Sequence, residues 1–176
     1  LEKSVVKMGA KIYGTTIAGK RCTLGGEIKN TVFFDYSNKA HDGYLGDAVI
    51  GSWCNLGAGT SASNVKNTAG EVKLWNPLLH QWINAGTKCG LMMGDYSRTG
   101  INTALNTGTV TGICCNIVSD GWPPKFIPHF TWNTATTERY VFEKAMTAIE
   151  NWKKMKQQPF DETENAILQY IYNSTL

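Results

Sequence analysis

The sequence predicts a mainly β chain: a parallel β-helix of six-residue repeats, carrying an inserted hairpin or loop and a C-terminal helical segment. Three observations carry this. From Met93 to Trp122, Met93, Thr99, Leu105, Thr111 and Ile117 recur every six residues, and Ser97, Thr103, Thr109 and Cys115 stand four places further on. A medium apolar column paired with a small one at this period is the mark of a β-solenoid, in which each hexad forms one flat side of a coil. Second, the beat disappears between Ser61 and Gly90 and then resumes. Third, beyond Glu138 the apolar residues change to helical spacing.

In chain order, Met8 to Phe34 holds a blurred beat, with Thr16, Cys22, Ile28 and Phe34 spaced by six. From Tyr44 the repeat sharpens. Ile50 and Leu56 take the interior column, Cys54 and Thr60 the small one, and the five-residue step from Leu45 to Ile50 implies a shortened corner. The interruption contains two alternating runs, Glu71 to Trp75 and Gln81 to Asn84, separated by Asn76 to His80, which reads as a hairpin or loop thrown out of the solenoid. Loops of this length on a regular scaffold are often functional. Gly94, Gly100 and Gly112 are expected to ease the corners.

Gly121 to Pro128 should end the repeat, because proline cannot donate to a β ladder. A helix is expected over Glu138 to Lys156, with Thr137 as its N-cap and Val141, Phe142, Ala145, Ala148, Ile149, Trp152 and Met155 on its apolar face. Asp161 and Glu164 make a capping-box-like start for a second helix bearing Ile167, Leu168, Ile171 and Tyr172. The division is then 1–132 for the β-helix, with an excursion at about 61–90, and 133–176 for a helical cap or arm. A start at Leu1 suggests a piece of a longer protein.

Composition narrows the function. A formal charge of +3, dispersed except at Lys153, Lys154 and Lys156, favours neither nucleic acid nor a membrane as partner. No run is long and apolar enough for a membrane span, and Leu1 to Gly9 has no signal-peptide core. Five cysteines without a C-x-x-C pair read as buried thiols of a reducing, cytoplasmic compartment, and no metal site is expected. His80 and His129 lie in the excursion and after the repeat, not in adjacent coils as a shared metal would require. His41 differs through its company. It stands in the polar bend Ser37 to Asp47, with a second polar loop, Gly57 to Asn64, one coil further on, where a stacking distance of about 4.8 Å lets neighbouring turns reach one ligand. An imidazole there suits a general base at neutral pH.

The block His41-Asp-Gly-Tyr44-Leu-Gly-Asp-Ala48, followed by Asn55-Leu-Gly-Ala-Gly-Thr60 and Asn64, resembles the acetyltransferase half of the bifunctional N-acetylglucosamine-1-phosphate uridylyltransferase and glucosamine-1-phosphate N-acetyltransferase. With Asn38 to Gly43, Glu71 to Trp75 and the helical tail, the whole chain resembles a group of bacterial sugar nucleotidyltransferases, in which such a β-helix follows an N-terminal nucleotidyltransferase domain. The resemblance implies a left-handed coil, against the usual crossover hand, and a homotrimer with sites between subunits. It implies acetyl-CoA as co-substrate, with Mg only in the nucleotidyltransferase domain, and a place in UDP-N-acetylglucosamine synthesis.

By the same resemblance His41 deprotonates the amine of glucosamine 1-phosphate, Lys29 holds its phosphate, Tyr44, Asn55, Asn64 and Lys66 contact the sugar phosphate, and the backbone near Ala58 meets acetyl-CoA. The chain departs from the pattern where Val65 replaces the tyrosine after the loop asparagine, and Lys11 is the nearest match to a further upstream basic residue. An alternative therefore stands beside the enzyme: a non-catalytic trimerisation and regulatory β-helix of a sugar-1-phosphate nucleotidyltransferase.

Overall fold

The computed structural model of the 176-residue chain describes residues 2–132, 136 and 138–175. Short parallel strands stack into three faces. The first face runs through Val5–Val6, Thr23–Leu24, Asn38–Lys39, a bridge at Asn55, then Arg98–Thr99, Asn116–Ile117 and Thr131–Trp132. The second runs through Lys11–Tyr13, Glu27–Lys29, Tyr44–Gly46, Ser61–Ala62 and Ala104–Leu105. The third runs through Ile17–Ala18, Val32–Phe33, Val49–Ile50, Met92–Met93, Val110–Thr111 and Phe126–Ile127.

The core is the inward column of these strands. Met93, Thr99, Leu105, Thr111 and Ile117 are all buried, as are Leu45, Ile50 and Leu56 before them. The small column turns inward too: Ser97 donates to the Gly112 carbonyl, Cys54 to Gly94 and Cys115 to Pro128, so each corner is tied to the next coil. All five cysteines are buried free thiols.

Counting by six fails in the first coils. The inward residues there are Leu24, Ile28, Phe33 and Lys39, whereas Phe34 is 53% exposed and Cys22 belongs to the small column. The steps from Leu24 to Ile28 and from Ile28 to Phe33 are four and five residues. Each shortened corner slides a strict count by one or two places, and one place is enough to move a side chain to the opposite face.

The corners are not turned by Gly94, Gly100 and Gly112. Positive φ falls instead on Tyr36, Trp53, Tyr96, Asn102, Cys114 and Phe130, each one place before the small column. A side chain there costs about 1–2 kcal/mol, offset by inter-coil hydrogen bonds such as Tyr96 N–H to Ser52 O and Cys114 N–H to Asp95 O. Gly94 serves close approach, since a Cβ there would lie 2.5 Å from the Gly112 carbonyl oxygen of the next coil.

Ser61–Ala62 still belongs to the second face, so the excursion proper begins after it. Its ends meet where Cys89 N–H donates to Asn64 O, and its centre is the antiparallel hairpin Lys73–Asn76 with Gln81–Asn84. It folds back onto the solenoid: Val72 is fully buried, and Trp75 lies 5.3 Å from the Phe126 ring.

Nor does Gly121 to Pro128 end the repeat. Pro123, Pro124 and Pro128 flank Phe126–Ile127, which pairs on the third face with Val110–Thr111. At these flanking positions proline gives up no ladder bond.

Glu138–Arg139 is not helical. It pairs antiparallel with Thr131–Trp132. The first helix, α1, spans Phe142–Met155 with Val141 at its N-cap, and the N-cap expected at Thr137 lies outside the described residues. The second, α2, spans Glu162–Ser174, and Asp161 accepts from Glu164 N–H as the sequence predicts.

Both helices pack along a ridge. Phe142, Ala145, Met146 and Ile149 of α1 and Leu168 of α2 cluster with Trp53, Tyr96, Cys114 and Phe130, the positive-φ residues of the corner between the third and first faces. Farther down, Lys156 donates to Tyr36 O, and Arg21 donates to Lys156 O. Fourteen helical residues span about 21 Å, close to the rise of four or five coils at about 4.8 Å each.

Candidate functional site

Polar groups gather at both ends of the strand Tyr44–Gly46 on the second face. At its start, the bend at His41 and the corner at Ala58 and Gly59, one coil on, line a hollow of about 450 Å³ with Lys7, Gly26 and Asn102. Glycine is needed here. A Cβ on Gly26 would lie 2.6 Å from the His41 carbonyl oxygen, so only a bare backbone lets the two coils close up. The imidazole of His41 is exposed. Met8 and Ile101, 102% and 74% exposed, stand on the rim.

The other end carries residues that the family resemblance assigns to the sugar phosphate. Asn64 is buried, its amide donates to the Asp47 carboxylate, and it bonds the Tyr44 phenol. Asn30 Nδ2 donates to the other Asp47 oxygen at 3.0 Å, and Lys29 O accepts from Asp47 N–H. The Lys29 ammonium lies 5.8 Å from the Tyr13 ring centre. Burial, with Asp47 and Glu27 nearby, raises the Tyr44 phenol, while its bond to Asn64 works the other way.

Asp47 is therefore the hub. It sits at a positive-φ corner and joins side chains from three successive coils. Sequence reading includes it in the bend but gives it no role, since only the stacking brings Asn30 and Asn64 to it.

A second hollow, of about 280 Å³, adjoins the first. Lys11, Glu27, Asp42, Gly43 and Tyr44 line it, which brings Lys11 to the same face. His41 and Tyr44 are three residues apart, a span of at most about 10 Å. The Tyr44 phenol, bonded to Asn64, links the two ends.

Two expected residues stand apart. Asn55 bridges Asn38 and Arg98 on the first face and takes the Asn38 amide at 3.5 Å, so it does not join Tyr44 and Asn64. Lys66 donates to Glu71 O inside the root of the excursion. Beside Asn64, Val65 is 37% exposed.

Of the other histidines, His129 is structural. Its Nδ1 accepts from Ile113 N–H, and burial lowers its pKa. His80 is exposed near Trp75. A separate apolar hollow of about 360 Å³ lies between α2 and the corner ridge, remote from His41. Among the described residues no helix is long and apolar enough to cross a membrane.

No family model matches the chain. Curated relatives do. It is 28% identical over 145 residues to "Bifunctional protein GlmU" of Synechococcus elongatus, covering 74% of this chain and 28% of that protein. It is 35% identical over 92 residues to "Bifunctional sugar-1-phosphate nucleotidylyltransferase/acetyltransferase" of Sulfurisphaera tokodaii, covering 52% and 22%. A "Bifunctional protein GlmU" of Methanocaldococcus jannaschii is 29% identical over 89 residues, covering 51% and 21%. The chain thus spans less than a third of these relatives' own length, and the resemblance to bifunctional transferases read around His41 to Asn64 stands.

Proposed function

We propose that the chain is the acetyl-transferring part of a cytoplasmic sugar-nucleotide-forming transferase and acetylates the amine of an amino-sugar 1-phosphate from acetyl-CoA. One observation carries the reading: His41 and Ala58, from successive coils, line one hollow, and the face leading from it ends in Lys29, Tyr44, Asp47 and Asn64. The printed names of the relatives, one a sugar-1-phosphate nucleotidylyltransferase/acetyltransferase, support it.

In this reading His41 takes a proton from the ammonium of the sugar, and the freed amine attacks the thioester carbonyl held near Ala58. The tetrahedral intermediate then collapses, expelling coenzyme A as the thiol and leaving the amide. Lys29 holds the phosphate as a point charge. Asn64 and Tyr44, fixed through Asp47, orient the ring so that the amine meets the carbonyl in line. Lys11 stands close enough to share the phosphate charge, while Asn55 and Lys66 have no part in this arrangement. Mg belongs to a nucleotidyltransferase domain beyond this chain, and the working unit is a homotrimer. Adding acetyl-CoA and glucosamine 1-phosphate and following free thiol tests the proposal: thiol release dependent on the sugar phosphate supports it, and its absence overturns it.

A second reading, a non-catalytic trimerisation module for the nucleotidyltransferase, draws on Val65, where the resembling acetyltransferases carry tyrosine. Trimer formation by a chain with no acetyl transfer to any amino-sugar phosphate would favour it.

A further inference from the structure

The inward column is apolar or threonine at nearly every position, and Lys39 is the exception. The residue is 0% exposed, enclosed in the apolar stack between Leu24 of the preceding coil and Leu56, beside the Asn55 bridge, of the next. Among the described residues no carboxylate lies within ion-pair distance of its ammonium, so nothing neutralises the charge directly. An ammonium enclosed this way is costly unless its protons are taken up. They are directed to one place: Nζ donates to the carbonyl of His41 and, at 3.0 Å, to that of Asp42.

These two carbonyls belong to the bend that presents the imidazole. Pulled inward onto the ammonium, they leave the His41 side chain facing outward at the hollow shared with Ala58. Gly26 backs the same His41 carbonyl from the preceding coil, and Asp42 O also accepts from Gly59 N–H of the next. The bend is held from inside, from below and from above. A leucine or methionine at position 39 would fill the column equally well but would release both carbonyls.

We propose that Lys39 is a positioning residue that reaches through the core to fix His41 for proton abstraction, and this rests on the acetyl-transfer reading above. Burial pushes its ammonium below the ordinary lysine value, with Asp42 acting against the shift. That is the direction expected of a charge kept inside for its hydrogen bonds and not for its stability.

The test is Lys39→Met, which keeps most of the volume without a donor, beside Lys39→Gln, which keeps a donor nitrogen on an arm one atom shorter than lysine. With acetyl-CoA and glucosamine 1-phosphate, Lys39→Met should lose about 10–100-fold in kcat, with KM for the sugar phosphate within about twofold. Tm should be unchanged or higher, and the His41 imidazole NMR signal, expected to be single and sharp in the wild type, should broaden in the variant. Lys39→Gln should recover part of kcat. An undiminished kcat in Lys39→Met, or a loss matched by falling Tm and an unchanged imidazole signal, overturns the positioning role. Should Lys39→Met fail to fold, the kcat and imidazole signal of Lys39→Gln decide by the same criteria. A wild-type chain that releases no thiol overturns the acetyl-transfer reading itself, an outcome distinct from an active wild type with an indifferent Lys39→Met.

Discussion

At the scale of single residues, the proposed chemistry separates into a group that acts in the transition state and one that acts on binding. His41→Ala removes the base, and acetyl transfer should fall about 10²–10⁴-fold with the fold intact, because the imidazole is exposed and outside the core. Lys29→Ala removes a contact made equally in ground and transition states, so it should raise KM for the sugar phosphate and spare kcat. Steady-state kinetics on both variants checks the contrast, and a fall in kcat alone for Lys29→Ala would contradict the assignment. The thiols give a prediction independent of function. The Cys54 thiol is pushed up from 9.0 to about 12, chiefly by burial. Above pH 9 the unfolded chain loses this proton first, so its contribution is whole below that value and drains away as pH rises toward about 12. Denaturant titrations across that window should show a shallower alkaline loss for Cys54→Ala than for wild type, and a thiol reagent at about pH 8 should leave the native chain unmodified. Local order set His41 apart in its polar bend and the family resemblance singled out Ala58, and the stacking brings the two to one hollow. Asp47 was not, because its partners Asn30 and Asn64 come from other coils. Asn55 stands apart for the converse reason: it is close to Ala58 in sequence, yet the chain turns a corner between them and leaves it on the first face.

At the scale of elements, clean hexads could be read to the residue and irregular corners could not. Leu105 and Ile117 are fully buried where the count puts them, whereas Phe34 yields its place to Phe33. The hairpin was legible from its alternating runs, while its anchoring through Val72 was not. The helices were recognisable by spacing, but not their seat, since aromatic residues at left-handed corners look like noise in a hexad count. That seat predicts a separation of stability from activity. Ile149 is 1% exposed against the ridge, and Ile149→Ala should lower unfolding free energy by about 2–5 kcal/mol. Since α1 lies on the corner between the third and first faces, the acetyl transfer of the folded variant should stay near wild type. Urea unfolding and a rate at low temperature measure the two quantities. The Lys153–Glu164 pair at 2.5 Å reinforces this seat, with Lys153 5.1 Å from the Trp53 ring. Burial lowers the Lys153 ammonium and raises the Glu164 carboxyl, so both charges are held against desolvation and the contact is specific more than strong.

At the scale of the molecule, the hollow at His41 is open on one side, with Met8 and Ile101 projecting from its rim. Large apolar side chains exposed beside a polar site are the composition of a surface completed by a partner. A solenoid with three flat faces suits a cyclic arrangement in which one copy's corner closes its neighbour's hollow, and that is the homotrimer implied by the resemblance. Sedimentation equilibrium at micromolar concentration should therefore give three times the 19.4 kDa chain mass. In the proposed trimer the rim residues form the contact, so Ile101→Lys should shift the chain toward monomer and remove acetyl transfer with it, although Ile101 is 74% exposed and its replacement leaves the core alone. A wild-type chain that sediments as a monomer yet transfers acetyl groups at full rate would place the whole site within one copy, and the open side of the hollow would then be the way in for acetyl-CoA.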